Sequence, residues 1–291
     1  GAAFEVLAED EAAMDSLRGA VDLEERTPVR ADLWRQIAEI HRRRGTYAAA
    51  HEVLGRAEAT LEGSHDSIQL AKVRIARAML AIERGADAEA RLLGAEAITL
   101  LVDQPDVSLD RATAYRAVGI AAAREDDLPV ARESFGRALE SANEANDALL
   151  SATISLNLGT VLHLQGQAEE ALKLYHQALE FHERIGAKRG VALASNNLGD
   201  LYWRNGDGGD WDQALSHWER SLRLYEEIGD QRGVATTLRN LGEANLQRSN
   251  LLEAEPLLRR ASALADELND DEIGNAVKRM LTRLWAATQT S

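Results

Sequence analysis

Seven histidines punctuate the chain, at positions 41, 51, 65, 163, 176, 182 and 217, and each is a possible acid, base or metal ligand. A zinc site needs a short recurrent spacing that sets two ligands on one face, as in His-Glu-x-x-His. No pair here has such a spacing; His176 and His182 stand on different faces of a helix. The chain has no G-x-S-x-G elbow to expose a serine nucleophile and no G-x-x-x-x-G-K-[ST] loop to cradle a phosphate. The acidic pairs Asp126-Asp127, Glu226-Glu227 and Asp270-Asp271 fall at expected helix ends or turns, where solvated charge accounts for them. Asp207, Asp210 and Asp212 surround a glycine-rich stretch, but the spacing D-x-x-D-x-D lacks the closing glutamate of a calcium loop and reads as a polar turn. These residues predict no catalytic group, no metal site and no cofactor.

The composition narrows the partners. There are 33 Lys plus Arg against 48 Asp plus Glu, a formal charge of −15, which repels nucleic acid and anionic membranes. With no cysteine, no disulfide framework or thiolate metal site is possible. No apolar run reaches the roughly 18 residues of a membrane span, and the first residues lack the apolar core of a signal peptide. The expectation is a cytoplasmic chain that binds neither nucleic acid nor membrane directly. Apolar residues make up 45% of the sequence but aromatic ones only 4%, and proline occurs four times. An alanine- and leucine-rich mixture of this kind suits closely stacked helices.

The elements that would hold any functional side chain emerge from an internal repeat. Gly190 to Gly199 reads GVALASNNLG, and Gly233 to Gly242 reads GVATTLRNLG; Asn157-Leu158-Gly159 repeats the ending once more. Turn residues recur at Gly45, Gly85, Asp126, Gly166, Gly206 and Ser249, in steps of 40, 41, 40, 40 and 43. Seven positions before each stands a small residue: Ala38, Ala78, Gly119, Gly159, Gly199 and Gly242. After each turn come two further small positions, such as Ala171 and Ala178. A larger residue usually lies between them: Leu54, Phe135, Tyr175, Trp218, Leu258, with Gly94 the exception. Apolar residues around these positions recur at helical intervals, so each unit reads as two antiparallel helices joined by a tight turn. The small residues let helices approach, and no unit can bury its apolar face without a neighbour.

This pattern resembles the tetratricopeptide repeat, in the longer variety seen in kinesin light chains, spindle-orienting G-protein-signalling modulators and the C-terminal arms of bacterial signalling ATPases and transcription regulators. The resemblance implies an all-α fold, a right-handed α-solenoid superhelix of stacked antiparallel helix pairs. Residues 1–30 read as an incomplete leading repeat with only its second helix, 31–268 as six helix pairs, and 269–291 as a capping helix and tail. Pro129 fits the start of a second helix; Pro256, four positions later in register, implies either a late start or a bend.

The family's geometry also implies a concave groove lined by first helices, with the residue two before the small position pointing into it. Here that residue is Asn157, Asn197 and Asn240, whose amides match an extended peptide backbone; equally, such an asparagine can satisfy neighbouring groups and stabilise the stack. Arg116, Arg124, His163, Asp200, Trp203, Arg204, Arg239 and Glu243 are expected nearby on the same face, with Trp203 exposed as an anchor. Trp218, at the large-residue position, is expected in the core. The implied function is a non-enzymatic scaffold holding a protein or peptide in its groove, as a sensory or regulatory arm of a larger bacterial signalling protein. The alternative is a structural module self-associating through the ends of its repeat stack. A clamp for acidic C-termini would need a more basic groove than Asn196, Asn197 and Asp200 supply.

Overall fold

The computed structural model describes residues 2–205 and 209–289, and the side chains of 10–205 and 209–287. Asp207 of the candidate calcium turn and the turn residue Gly206 therefore lie outside the described residues. Within the described residues there are fourteen helices and no strand. They are α1 (Ala2–Leu23), α2 (Thr27–Arg43), α3 (Tyr47–Thr60), α4 (Ser67–Glu83), α5 (Asp87–Leu101), α6 (Ser108–Arg124) and α7 (Leu128–Glu144). The series continues with α8 (Ala148–Leu164), α9 (Ala168–Arg184), α10 (Lys188–Arg204), α11 (Trp211–Ile228), α12 (Gln231–Gln247), α13 (Leu251–Leu268) and α14 (Asp271–Gln289). Two compact units divide the chain, residues 1–154 and 155–291, a division the repeat did not predict. In the first, α2 packs on α3, α4 on α5 and α6 on α7, while the first helices α2, α4 and α6 also touch in succession. The second repeats this scheme with α10 on α11, α12 on α13, and contacts from α10 to α12 and α12 to α14.

Turns of two or three residues enforce the antiparallel pairing. At the end of α2, Gly45 adopts φ +70°. Its N–H binds the Arg42 carbonyl at 3.0 Å, and the Thr46 N–H reaches back to His41 O at 3.0 Å. This satisfies two of the carbonyls that a helix end leaves bare. The same device closes α6 at Asp126, α7 at Asn146 and α13 at Asn269, with φ of 61°, 56° and 53°. The next residue then caps the following helix: Asp147 accepts from the Leu150 N–H at 2.9 Å, and Asp230 from the Gly233 N–H at 3.0 Å. A stop signal and a start signal in adjacent residues leave the chain no path except reversal.

The small and large positions form lock-and-key pairs. A Cβ placed on Gly119 would come within 2.8 Å of the Phe135 ring, on Gly159 within 2.6 Å of Tyr175, and on Gly199 within 2.6 Å of Trp218. All three aromatic side chains are fully buried, as expected for Trp218. The exception, Gly94, has a physical reason. Its missing side chain admits Val118 of α6, whose Cγ2 would sit 2.7 Å from a Cβ there.

Pro129 lies in the first turn of α7. Pro256 does not delay α13, which begins at Leu251 and carries the proline inside. Its missing N–H would have served the carbonyl of Leu252, a residue 87% exposed, so water takes that place at little cost.

Candidate functional site

First helices carry the polar side chains that do not go into pairing, and the two units use them differently. In the second unit the expected residues join into one network across α8, α10 and α12. Asp200 accepts from Arg204 Nε at 2.8 Å and lies 3.8 Å from His163 Nδ1. Arg204 also donates to Glu243 at 3.3 Å, and Trp203 Nε1 donates to Gln247 at 3.2 Å. Burial pushes the His163 pKa below its ordinary value, Asp200 pulling the other way. Trp203 is not the exposed anchor expected; it is half-buried, edge-on to Trp211 at 5.7 Å.

The asparagine ladder also needs correction. Asn240 is buried, 7% exposed, donating to Asn196 Oδ1 at 3.3 Å and accepting from Arg239 Nη2 at 3.0 Å. Asn197 is half-buried, with its amide 3.4 Å from Thr160 Oγ1; Asn157 is half-buried. Arg239 is thus engaged with its own neighbour. Arg124 is not grouped with these residues at all: it donates to the Ile82 carbonyl at 2.6 Å and pairs with Asp87 at 3.3 Å, bracing the end of α4.

Each unit has an open cavity: one of about 550 Å³ between Glu183, Lys188, Arg220 and Glu227 in the second, and a larger one in the first. A cavity of about 710 Å³ lies along α2, α4, α6 and the first turns of α8. Its wall is built at helical spacing: Arg35, Glu39 and Arg42 from α2; Lys72, Ile75 and Met79 from α4; Asp110, Thr113 and Arg116 from α6. Leu109, Leu149 and Leu150 supply an apolar margin. Counted from the small residues Ala38, Ala78 and Gly119, Arg35, Ile75 and Arg116 stand three before, and Glu39 and Met79 one after. The groove position implied by the family resemblance is two before. The position two before contributes Ala76 to the wall beside Ile75, whereas Gln36 and Ala117 at the same register are not among its lining residues. Arg116 is the one expected site residue on the wall; the others there went unnoticed because their types vary from repeat to repeat.

Charges on the wall are mostly compensated. Arg35 holds Asp32 at 2.7 Å, Arg42 holds Glu39 at 2.7 Å and also Glu83, and Lys72 stands 4.0 Å from Asp110. Burial raises the Asp110 carboxyl above the usual range, with Lys72 and Arg35 acting against it. Arg116 differs: its hydrogen-bond contact is Met79 Sδ at 3.7 Å, and its Nε is buried without an acceptor. Among the described residues no cluster of His, Asp or Glu could hold a metal ion, and no helix is long and apolar enough to cross a membrane.

Residues 150–207 and 208–267 each match the model of the tetratricopeptide repeat. No curated protein matches the chain in sequence. Solved structures similar in fold include the quorum sensor NprR in complex with its cognate peptide NprX, at 16% identity and TM-score 0.74, covering 97% of this chain and 80% of that one. A Rap protein complexed with competence and sporulation factor gives 16% identity and TM-score 0.63, covering 94% and 85%. A signal transduction ATPase with a tetratricopeptide repeat sensor, from Pyrococcus horikoshii, gives 12% and 0.67, covering 92% of this chain and 42% of that one.

Proposed function

The chain belongs to the tetratricopeptide-repeat family, and from that premise we propose that it is a regulatory scaffold that binds a protein or peptide segment and performs no catalysis. The supporting observation is the cavity of about 710 Å³ bounded by one recurring face of successive first helices. Its size suits a few side chains of an extended segment, and it combines an apolar margin with polar groups that fix orientation. One protein of similar fold is seen in complex with its cognate peptide and another with competence and sporulation factor, which supports this mode of use here. A role as sensory arm of a larger signalling protein fits the likeness to the sensor of the signal transduction ATPase.

The test is affinity selection of random hexapeptides on the immobilised full chain. Captured peptides are re-measured against Leu149→Asp, which alters a cavity-margin side chain 52% exposed, and against Arg137→Ala on an exposed position of α7. Leu149→Asp should weaken binding at least about tenfold and Arg137→Ala by less than twofold. Capture of no peptide, or equal loss in both variants, would sink the reading.

A further inference from the structure

Arg116 is an anomaly in a chain of this charge. Acidic residues outnumber basic ones by 48 to 33, and most arginines near the cavity find a carboxylate. Arg116 has none. A guanidinium has five donors arranged in a fork, and a thioether sulfur is a weak acceptor for any of them. Its Nε is shut away from water with no acceptor, and the side chain is half-buried against Met79 on the cavity wall. Burial, reinforced by the charge of Arg42, lowers the Arg116 pKa from its ordinary value, the expected consequence of a desolvated and uncompensated cation. Leaving the guanidinium charge uncompensated is costly, and a carboxylate arriving at its two terminal nitrogens would offset that cost while making two parallel hydrogen bonds.

We propose that the cavity of the first unit receives a single carboxylate of an otherwise apolar peptide segment, held by the Arg116 fork. The inference rests on the scaffold reading above and specifies its ligand. The surroundings set the selectivity. Ile75, Met79, Leu109 and Leu150 offer apolar contact on either side of the guanidinium. The other cations on the wall already have partners, and Asp147 adds a negative charge not used by them. The cavity therefore selects one acid among apolar neighbours and rejects a run of acids. The carboxylate can come from an Asp or Glu side chain or from a chain terminus, because the fork recognises the group and not its origin.

The experiment uses the full chain and hexapeptide pools synthesised in two forms, with a free C-terminus and with a C-terminal amide, selected by affinity and read by mass spectrometry. Enriched amide peptides should carry one Asp or Glu between apolar residues. Enriched acid peptides without Asp or Glu would instead assign the carboxylate to the terminus. Exchanging the acid of an enriched peptide for its amide should then weaken binding at least about tenfold, a test that requires no change to the protein. Arg116→Met should erase the preference for acid over amide, and Arg116→Lys should restore it in part, keeping the charge and losing the fork. Met79→Glu, which places a carboxylate beside the guanidinium, should raise the melting temperature and abolish the preference. Peptides bound equally well as acid and amide, or a preference unchanged in Arg116→Met, would overturn the carboxylate assignment while leaving the scaffold reading intact. Failure of any peptide to enrich would overturn both.

Discussion

Close approach at a single atom decides what each glycine is for. Gly199 and Gly136 are both helical, yet a Cβ on Gly199 would meet Trp218 at 2.6 Å, whereas one on Gly136 would meet nothing within 4 Å. Gly199→Ala should therefore destabilise by about 1–3 kcal/mol despite the better helix propensity of alanine, because the buried indole has no room to retreat. Gly136→Ala should stabilise by about 0.5–1 kcal/mol. Urea unfolding of both variants checks the opposite signs; stabilisation by Gly199→Ala would mean that Trp218 shifts freely. A second residue-scale feature is His182, 3% exposed over Gly190, with neither ring nitrogen hydrogen-bonded. Burial lowers its pKa. The unfolded chain then binds a proton that the folded chain refuses as pH falls below the ordinary histidine value of about 6.5. Its share of stability is present above that value and is lost toward the lower folded pKa. Tyr225 occupies the equivalent place over Gly233. His182→Tyr should accordingly flatten the fall in melting temperature between pH 7 and 5; an unchanged slope would assign the acid sensitivity to His41, His163 or His217, whose pKa values are lowered as well.

Helices in this chain are stable only through their neighbours, and α14 shows what an end requires. Ile273, Val277 and Leu284 are buried in the cluster that includes Leu258, Ala261 and Ala265, while Lys278 turns outward to Asp266 at 3.4 Å. The helix thus offers an apolar face to α13 and a largely polar one to solvent, although Trp285 remains 66% exposed. Removing residues from Ile273 onward takes away one helix–helix interface and uncovers alanine and leucine side chains of α13. The melting temperature should fall, and light scattering should show concentration-dependent association. A truncated chain that melts unchanged and stays monodisperse would deny α14 its capping role. If association is already present with α14 in place, the self-assembly alternative gains instead.

Seen whole, the molecule leaves buried polar atoms without partners in both compact units, and in the first, one of them belongs to Arg116 on a cavity wall. The network of His163, Asp200, Arg204, Glu243 and Gln247 in the second unit satisfies itself, and Asn240 is spent on Asn196. The first unit keeps an open cavity and a cation with no counter-charge. On the proposal that Arg116 receives a carboxylate, residues 1–154 seat the ligand.

What could be read from the sequence were the features set by neighbours along the chain. The 40-residue period, the stop-and-start turns at Gly45 or Asp126, the placement of Trp218 and the small residue facing it all follow from local geometry, one helix pair at a time. Of the twelve left-handed residues among the described ones, Asp106, Asn146 and Asn269 were less visible because they are not glycines. Tertiary structure alone decided which side of a first helix looks into the cavity. Arg116 stands one residue, about 100° of rotation, from the register of Asn157, Asn197 and Asn240, a register that reaches the cavity only at Ala76. It also decided which charges are free, since the partners of Arg42, Arg124 and Arg204 include residues some 40 positions away, on the next repeat. Pairing across that distance exists only after the helices have stacked, so an unpaired Arg116 has no signature in the linear chain.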